Sequence, residues 1–470
     1  MDDSAASIAD QAARAFAGQT AGVAARRQDF GLRARRDALA RLADAIRRNE
    51  AALIAALSED FGKPAAEVIL TELIPVMQEI RHTSRHLRRW MRPRRVAPTL
   101  ATLGTTARIR PEARGVCLII APWNYPFSLA LGPLVSALAA GNSAIIKPSE
   151  MTPATSALIA RLIAESFPPD LVTVIEGGVE ASQALLALPF DHIFFTGSPA
   201  VGKIVMAAAA RTLASVTLEL GGKSPTIIGP DADLKDAAKW IAFGKFANAG
   251  QTCIAPDHLF VHRDVKERFL AELRERIALS YGQGASSPHL AQIVNSHHAE
   301  RLSGLLRDAV AKGARVTLDG AAQGRQMGPT LIEAITPEME IDREEIFGPI
   351  LPVIAYDDLE EVIRRINARP KPLALYIFDK GRARVDRIIA ATSSGSVGVN
   401  LTMAQYSHTG LPFGGVNTSG IGAAHGHYGF RAFSHERAIL SNHLSALPLV
   451  FPPYTRRVKR LIGLIKRVLG

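Results

Sequence analysis

Cysteine is nearly absent from this chain: 470 residues hold only Cys117 and Cys253. Two thiols cannot build a disulfide framework, and a reducing compartment suits them better than an oxidising one. No stretch approaches the run of about 20 apolar residues that spans a bilayer. The opening MDDSAASIADQ lacks the basic-then-apolar order of a signal peptide, so a cytoplasmic location is expected. Acid is missing from two segments. Arg81–Arg95 holds seven arginines and Arg456–Arg467 six lysines and arginines, neither with an Asp or Glu. Aromatics are scarce too, at 6%. The first run has only Trp90 among its arginines, which argues against nucleic acid as a partner and for a solvated helix face.

What is present is the composition of a globular protein, 47% hydrophobic and 21% charged with a net charge of +11. The length predicts two to three domains of about 100–200 residues each. Residues 5–90 are rich in helix signals. Ile69, Leu73, Met77 and Ile80 recur at helical spacing, and Pro75 predicts a kink. Pro93 and Pro98 break that pattern, and Thr99–Pro111 suits a hairpin or an extended excursion. Short apolar runs at 115–121, 143–147, 171–175, 191–196 and 215–220 then alternate with helical segments such as Leu129–Ala140 and Ala154–Glu165. This alternation predicts an α/β class with right-handed βαβ units and a parallel sheet covered on both faces. The same style resumes with Pro225–Ile228, a helix near 232–247 and His258–His262, so a second α/β domain is expected.

Four stretches carry chemistry. Ala121-Pro-Trp-Asn-Tyr-Pro126 follows a strand, where open α/β sheets bind ligands, and Asn124 is able to donate N–H groups to a developing oxyanion. Phe194-Phe-Thr-Gly-Ser-Pro-Ala-Val-Gly202 reads as strand, glycine turn and helix, with an N-terminus suited to a pyrophosphate. Leu218-Glu-Leu-Gly-Gly-Lys-Ser-Pro225 places Glu219 among leucines, where burial raises a carboxyl pKa and makes a useful general base. Gly244–Pro256 contains Cys253 in a polar, small-residue loop. A free thiol is only a few per cent thiolate at neutral pH, so a nucleophilic cysteine needs a base or a favourable backbone field beside it. Each stretch alone also fits a structural role: a turn-shaping Asn, a paired Glu, an inert Cys.

Together they are far more specific. The chain resembles the aldehyde dehydrogenase superfamily from about residue 20 to residue 440. Glu219-Leu-Gly-Gly-Lys and Gly250-Gln-Thr-Cys253 match its two active-site signatures in order and spacing. Leu411-Pro-Phe-Gly-Gly415, His425-Gly426 and Phe433-Ser-His435 are similar to its class 3 branch, whose members typically form homodimers and oxidise medium-chain, fatty or aromatic aldehydes. One departure stands out: Asn417 follows Val416 where that branch usually has glycine. Asparagine is the best non-glycine substitute if the backbone there is left-handed.

The resemblance implies three units. An NAD(P)-binding domain comprises residues 1–89 and 113–218, and a catalytic domain residues 219–399. An oligomerisation element comprises 90–112 and 400–440, followed by a C-terminal tail, 441–470. It implies Cys253 as nucleophile, Asn124 with the Cys253 N–H as oxyanion donors, and Glu219 as the base that activates hydrolytic water. Trp123, Lys147, Glu150, Gly197, Ser198, Gly202, Glu345 and Phe347 would form the cofactor seat, and no metal is called for. Glu150 near a ribose 2′-hydroxyl favours NAD, with NADP the alternative because Lys147 is close by. The pocket walls expected include Tyr125, Phe246, Thr252 and residues of the Met403–His408 stretch. Two other readings stand beside this one: an acylating dehydrogenase, which Glu219 argues against, and a non-catalytic descendant, which the retained Asn124, Glu219 and Cys253 argue against.

The tail has its own pattern. Val458, Leu461, Ile462, Ile465, Val468 and Leu469 follow helical spacing, with Arg456, Lys459, Arg460, Lys466 and Arg467 mostly opposite. Such a helix either packs on the protein or its dimer mate, or lies on an anionic membrane surface.

Overall fold

Near-continuous apolar runs form the strands of a buried parallel sheet, as expected when helices cover both faces. In chain order these are β1 (Val116–Ile120), β2 (Ser143–Lys147), β3 (Val172–Val174), β4 (His192–Thr196) and β5 (Ser215–Glu219). The computed structural model describes residues 7–282 and 284–469. The first six residues of the stretch read for a signal peptide lie outside it, as do the side chains of Val468 and Leu469. The strands pair in the order β5-β4-β1-β2-β3, and Gly420–Ile421 adds an antiparallel edge beside β5. The chain builds outward from β1 through β2 and β3, then returns to place β4 on the other side. The crevice between the β1 and β4 carboxyl ends is therefore a topological switch point, where such sheets bind ligands.

A second sheet takes β6 (Pro225–Ile228), β7 (His258–His262), β8 (Thr330–Glu333), β9 (Ile350–Tyr356), β10 (Ala374–Phe378) and β11 (Ser396–Val399). These run parallel in the order β8-β9-β7-β6-β10-β11, with Arg315–Leu318 antiparallel outside β8. The chain leaves β5 at Glu219 and enters β6 at Pro225, so the carboxyl end of the first sheet feeds the amino end of the second. Cys253 lies in the loop before β7, at that same amino end.

A third sheet is antiparallel: Arg94–Val96, Thr105–Ala113 and Ser434–Asn442. The extended excursion expected over 99–111 is largely its central strand, preceded by a short turn at Leu100–Thr102 that Thr99 caps. The last strand runs to Asn442, so the segment from 441 begins inside the sheet. The architecture is thus a Rossmann-like parallel sheet, a second α/β unit and a small β element.

The irregularity expected at Pro75 takes the form of a π-turn over Ile69–Leu73, immediately before the helix Ile74–Trp90. Pro75 occupies the second position of that helix, and the wider turn absorbs the bond its ring cannot make. All seven arginines of Arg81–Arg95 are exposed, while Thr83, Leu87 and Trp90 face inward. No helix among the described residues is long and apolar enough to cross a membrane.

Candidate active site

The loop after β1 and the loop before β7 are tied together by backbone and side-chain amides. Asn248 and Ala249 adopt left-handed backbone, with φ of 55° and 52°, which folds the segment after the helix Leu234–Phe246 into a tight loop. Asn248 Nδ2 donates to the carbonyls of Asn124 (2.8 Å) and Gln251 (3.2 Å), and Asn124 Nδ2 donates to the Gln251 carbonyl at 3.0 Å. Gln251 in turn donates to the Gln292 carbonyl and accepts from the Val294 N–H. Asn124 is thereby fixed next to the cysteine loop, and one of its two N–H groups remains for another acceptor.

Burial dominates the electrostatics of the reactive groups. The Cys253 thiol is pushed up to about 12, first by loss of water and then by the Glu345 and Glu219 carboxyls; the N–H groups of Cys253 and Ile254 oppose this. Glu219 is 5% exposed, and neither carboxyl oxygen has a partner among the described residues. Desolvation alone holds its pKa well above the ordinary carboxyl value. The expected burial of this carboxylate is therefore present, and a paired structural role is not. The Glu345 carboxyl is raised to about 7 by desolvation, against a bond from the Gly222 backbone.

Cys253, Thr252 and Glu219 open onto a cavity of about 240 Å³ whose walls are chiefly apolar. Tyr125, Leu129, Trp240, Phe243, Met403, Tyr406 and Phe413 line it, and Leu70 and Phe243 are partly exposed at its edge. Tyr125 is held by a 2.7 Å hydrogen bond between its hydroxyl and Thr252. One of the expected wall positions differs. Phe246 is fully buried against Tyr281, with ring centroids 5.9 Å apart, and Trp240 and Phe243 line the cavity from earlier turns of its helix. Met403, Ala404, Tyr406 and Ser407 come from the expected stretch, and His425 joins them at the wall.

Of the groups expected to seat a cofactor, Trp123, Lys147, Glu150, Gly197 and Ser198 follow or end strands of the first sheet at their carboxyl ends, Gly202 lies in the helix after Ser198, and Glu345 and Phe347 lie in the loop before β9. Lys147 ends β2 with its ammonium 2.6 Å from Glu150. Thr196 ends β4, and its buried hydroxyl has no partner among the described residues. Gly197 follows, where an added Cβ would lie 2.5 Å from the Phe195 ring. Ser198 then caps the helix Pro199–Thr212. Gly202 contributes differently: an added Cβ would lie 2.7 Å from Leu220, so its place is in helix-to-strand packing. Trp123 meets Phe347 edge-on at 5.4 Å and His298 at 5.2 Å. Phe347 has a φ of 49°, and Arg301 fixes its turn by donating to the Glu345 and Ile346 carbonyls.

A buried charged cluster was missed in the sequence. Lys63 and Glu72 form a fully buried 3.0 Å ion pair, and the other Glu72 oxygen accepts from the Ser128 N–H. Lys63 also sits 4.0 Å from the centre of the Tyr125 ring, and Glu67 accepts from the Asn248 N–H at 2.6 Å. The signal was there: a lysine and two glutamates within ten residues of an otherwise apolar helical stripe. Glu67→Ala would orphan the Asn248 N–H at about 1–3 kcal/mol. Displacing the Asn124–Gln251 contact should lower turnover about 10-fold or more with little change in KM. Steady-state kinetics beside Glu67→Gln, which keeps the acceptor oxygen, checks this; equal loss in both variants would contradict it.

The left-handed position anticipated at Asn417 is present, with a φ of 55°, and Lys371 bonds its side chain at 2.9 Å. The sequence pattern of the Aldehyde dehydrogenase family matches residues 3–439. The chain belongs to that family. It is an aldehyde dehydrogenase, an enzyme of NAD(P)-dependent aldehyde oxidation, with the fold of that family. It is 47% identical over 410 residues to Bacillus subtilis AldX, covering 86% of this chain and 92% of that protein. It is 40% identical over 428 residues to mouse aldehyde dehydrogenase family 3 member A2, covering 90% and 87%. The substrate-bound structure of Staphylococcus aureus AldH superposes with a TM-score of 0.91 at 40% identity, over 96% of this chain and 99% of that one.

Proposed function

We propose that the enzyme oxidises apolar aldehydes, medium- to long-chain aliphatic or aromatic, to carboxylic acids with NAD. The observation that carries this is the apolar cavity with Cys253 and the unpaired Glu219 on its wall. An alkyl or aryl group loses its water favourably there, at about 25 cal/mol for each Å² buried, whereas a sugar or a charged aldehyde would leave its polar groups unmatched.

The Cys253 thiol gives up its proton to solvent, and its Sγ forms the bond to the aldehyde carbon as the carbonyl π pair moves onto oxygen. The new oxyanion accepts from the free N–H of Asn124 and from the Cys253 backbone, groups already fixed before substrate arrives. Bound NAD supplies the hydride acceptor. Glu219 then takes a proton from water as that water adds to the thioacyl carbon, the C–S bond breaks, and the acid leaves. Burial raises both the Cys253 thiol and the Glu219 carboxyl above their ordinary values, so their conversion to the deprotonated forms favours alkaline pH.

The residues fit a dinucleotide. Thr196 offers an unspent buried hydroxyl, Gly197 and the helix N-terminus after Ser198 suit a pyrophosphate, and Glu345 with Phe347 flanks Trp123. Gly202 supports that seat by packing. The Lys147–Glu150 pair favours NAD, because Glu150 accepts from a ribose 2′-hydroxyl and repels a 2′-phosphate. The exposed nine-residue edge strand Ser434–Asn442 supports a homodimer, since an open edge is a template for pairing.

A panel of aldehydes read by NADH absorbance tests the substrate class. The expected result is kcat/KM rising about 3- to 4-fold for each added methylene until the cavity is filled, from about 0.8 kcal/mol per buried CH₂. A flat series, or preference for hydroxylated aldehydes, would overturn the apolar assignment.

A further inference from the structure

The C-terminal 34 residues have no role in the chemistry above, and their composition is unlike the rest of the chain. Glu436 is the last acid in the sequence. Beyond it come Arg437 and the six lysines and arginines between Arg456 and Arg467, together with a dense set of large apolar side chains. Leu444, Leu449, Phe451, Tyr454 and Leu464 are each more than half exposed, Leu444 at 89%. The helix Arg456–Leu469 packs on the turn Leu447–Val450, towards which Val458 and Leu461 are half-buried. Ile462, Leu464 and Ile465 remain uncovered.

The start of the segment is anchored to the antiparallel sheet, because the His443 and Leu444 N–H groups both donate to the Gly104 carbonyl. Leu100 and Leu103, on the adjoining turn, are also more than half exposed. Exposed large apolar side chains are thus concentrated on two segments of chain that meet at Gly104, more densely than the scattered single hydrophobes of an ordinary surface. No acid lies within the C-terminal segment to neutralise its lysines and arginines.

We infer that this C-terminal segment is a docking surface for an anionic lipid bilayer. The helix would lie in the interface plane, with Ile462 and Ile465 among the acyl chains and the lysines and arginines reaching up to the headgroups. Charge selects this occupant: an apolar face rimmed by six cations with no acid matches a surface that is apolar beneath and anionic above. The surface lies outside the catalytic cavity, whose lining ends at His425.

Flotation of the full chain tests this, with vesicles of phosphatidylcholine alone and of phosphatidylcholine mixed with phosphatidylglycerol. The expected result is binding to the mixed vesicles only, lost in high salt. Each neutralised cation should weaken binding on the order of 5-fold, so the double variant Lys459→Gln with Arg460→Gln should bind about 30-fold less tightly. Ile462→Ser with Ile465→Ser should weaken binding with the charge unchanged. Aldehyde oxidation without vesicles should be the same in all four residues' variants, which shows the fold intact. Equal flotation of wild type and variants would overturn the inference. So would variants that leave lipid binding alone but dissociate a dimer in light scattering, since the segment would then be a contact between copies of the chain.

Discussion

Glu219→Gln is expected to lower steady-state turnover by about 10²–10⁴-fold while the first turnover still releases a stoichiometric burst of NADH. Glutamine keeps the shape of the side chain and removes its capacity to take a proton. Acyl transfer to Cys253 and hydride loss precede the water step, so the enzyme should stop as a thioacyl species that mass spectrometry detects as an adduct on Cys253. Near-normal turnover would remove Glu219 from the hydrolytic step.

The same substitution should raise stability. Above its ordinary value of 4.5, the Glu219 carboxyl ionises in the unfolded chain but stays protonated in the folded one, because it is buried without a partner. The unfolded state then binds fewer protons, so wild-type stability falls as pH rises towards the folded pKa, by up to about 1.4 kcal/mol per unit for this group. Glutamine does not titrate and carries no such loss. The Tm difference in favour of Glu219→Gln should be small near the ordinary carboxyl value and grow as pH rises above it, which thermal melts over a pH series would check. In wild-type kinetics, kcat should rise from neutral to alkaline pH, since Cys253, pushed up to about 12, and Glu219 both act after losing a proton.

Asn124→Ala is expected to cost about 10²–10³-fold in turnover, the usual loss on removing one oxyanion donor. Cofactor affinity should be unchanged, because Asn124 lies on the cysteine side of the crevice. The structure also separates this effect from simple unfolding. The Gln251 carbonyl loses its bond from Asn124 but still accepts from Asn248, so no buried acceptor is orphaned and the stability cost should be only about 1 kcal/mol. Asn124→Asp should be at least as inactive, since it replaces the donor with an acceptor facing the developing charge. Turnover within a few-fold of wild type in either variant would exclude Asn124 from the oxyanion site.

Much of this was legible in the sequence because it is local. The apolar runs that end at Ile120, Lys147, Thr196 and Glu219 are strand-length and flanked by helices of ordinary period, so the parallel sheet follows from pattern alone. Glu219 among leucines implied burial, and the structure leaves its oxygens without partners. Asn417 implied a left-handed turn, and its φ is 55°. The cavity walls were less legible. Phe246 lies close to Cys253 in the sequence, but which face of a helix borders a cavity depends on what packs behind it. Tyr281 occupies that place behind Phe246.

The sequence by itself determined the α/β class, the reactive residue types and their order along the chain, because hydrophobic period and the two active-site signatures are short-range. Only the tertiary structure decided what brings those residues together. Asn124 and Cys253 belong to separate loops and Glu219 ends β5; the two loops are joined through the left-handed turn at Asn248, held by Glu67 from 181 residues away. It also decided that Glu219 has no partner among the described residues and that Ile462 and Ile465 of the tail are exposed. Both are statements about what lies nearby in space, which residue spacing along the chain does not encode.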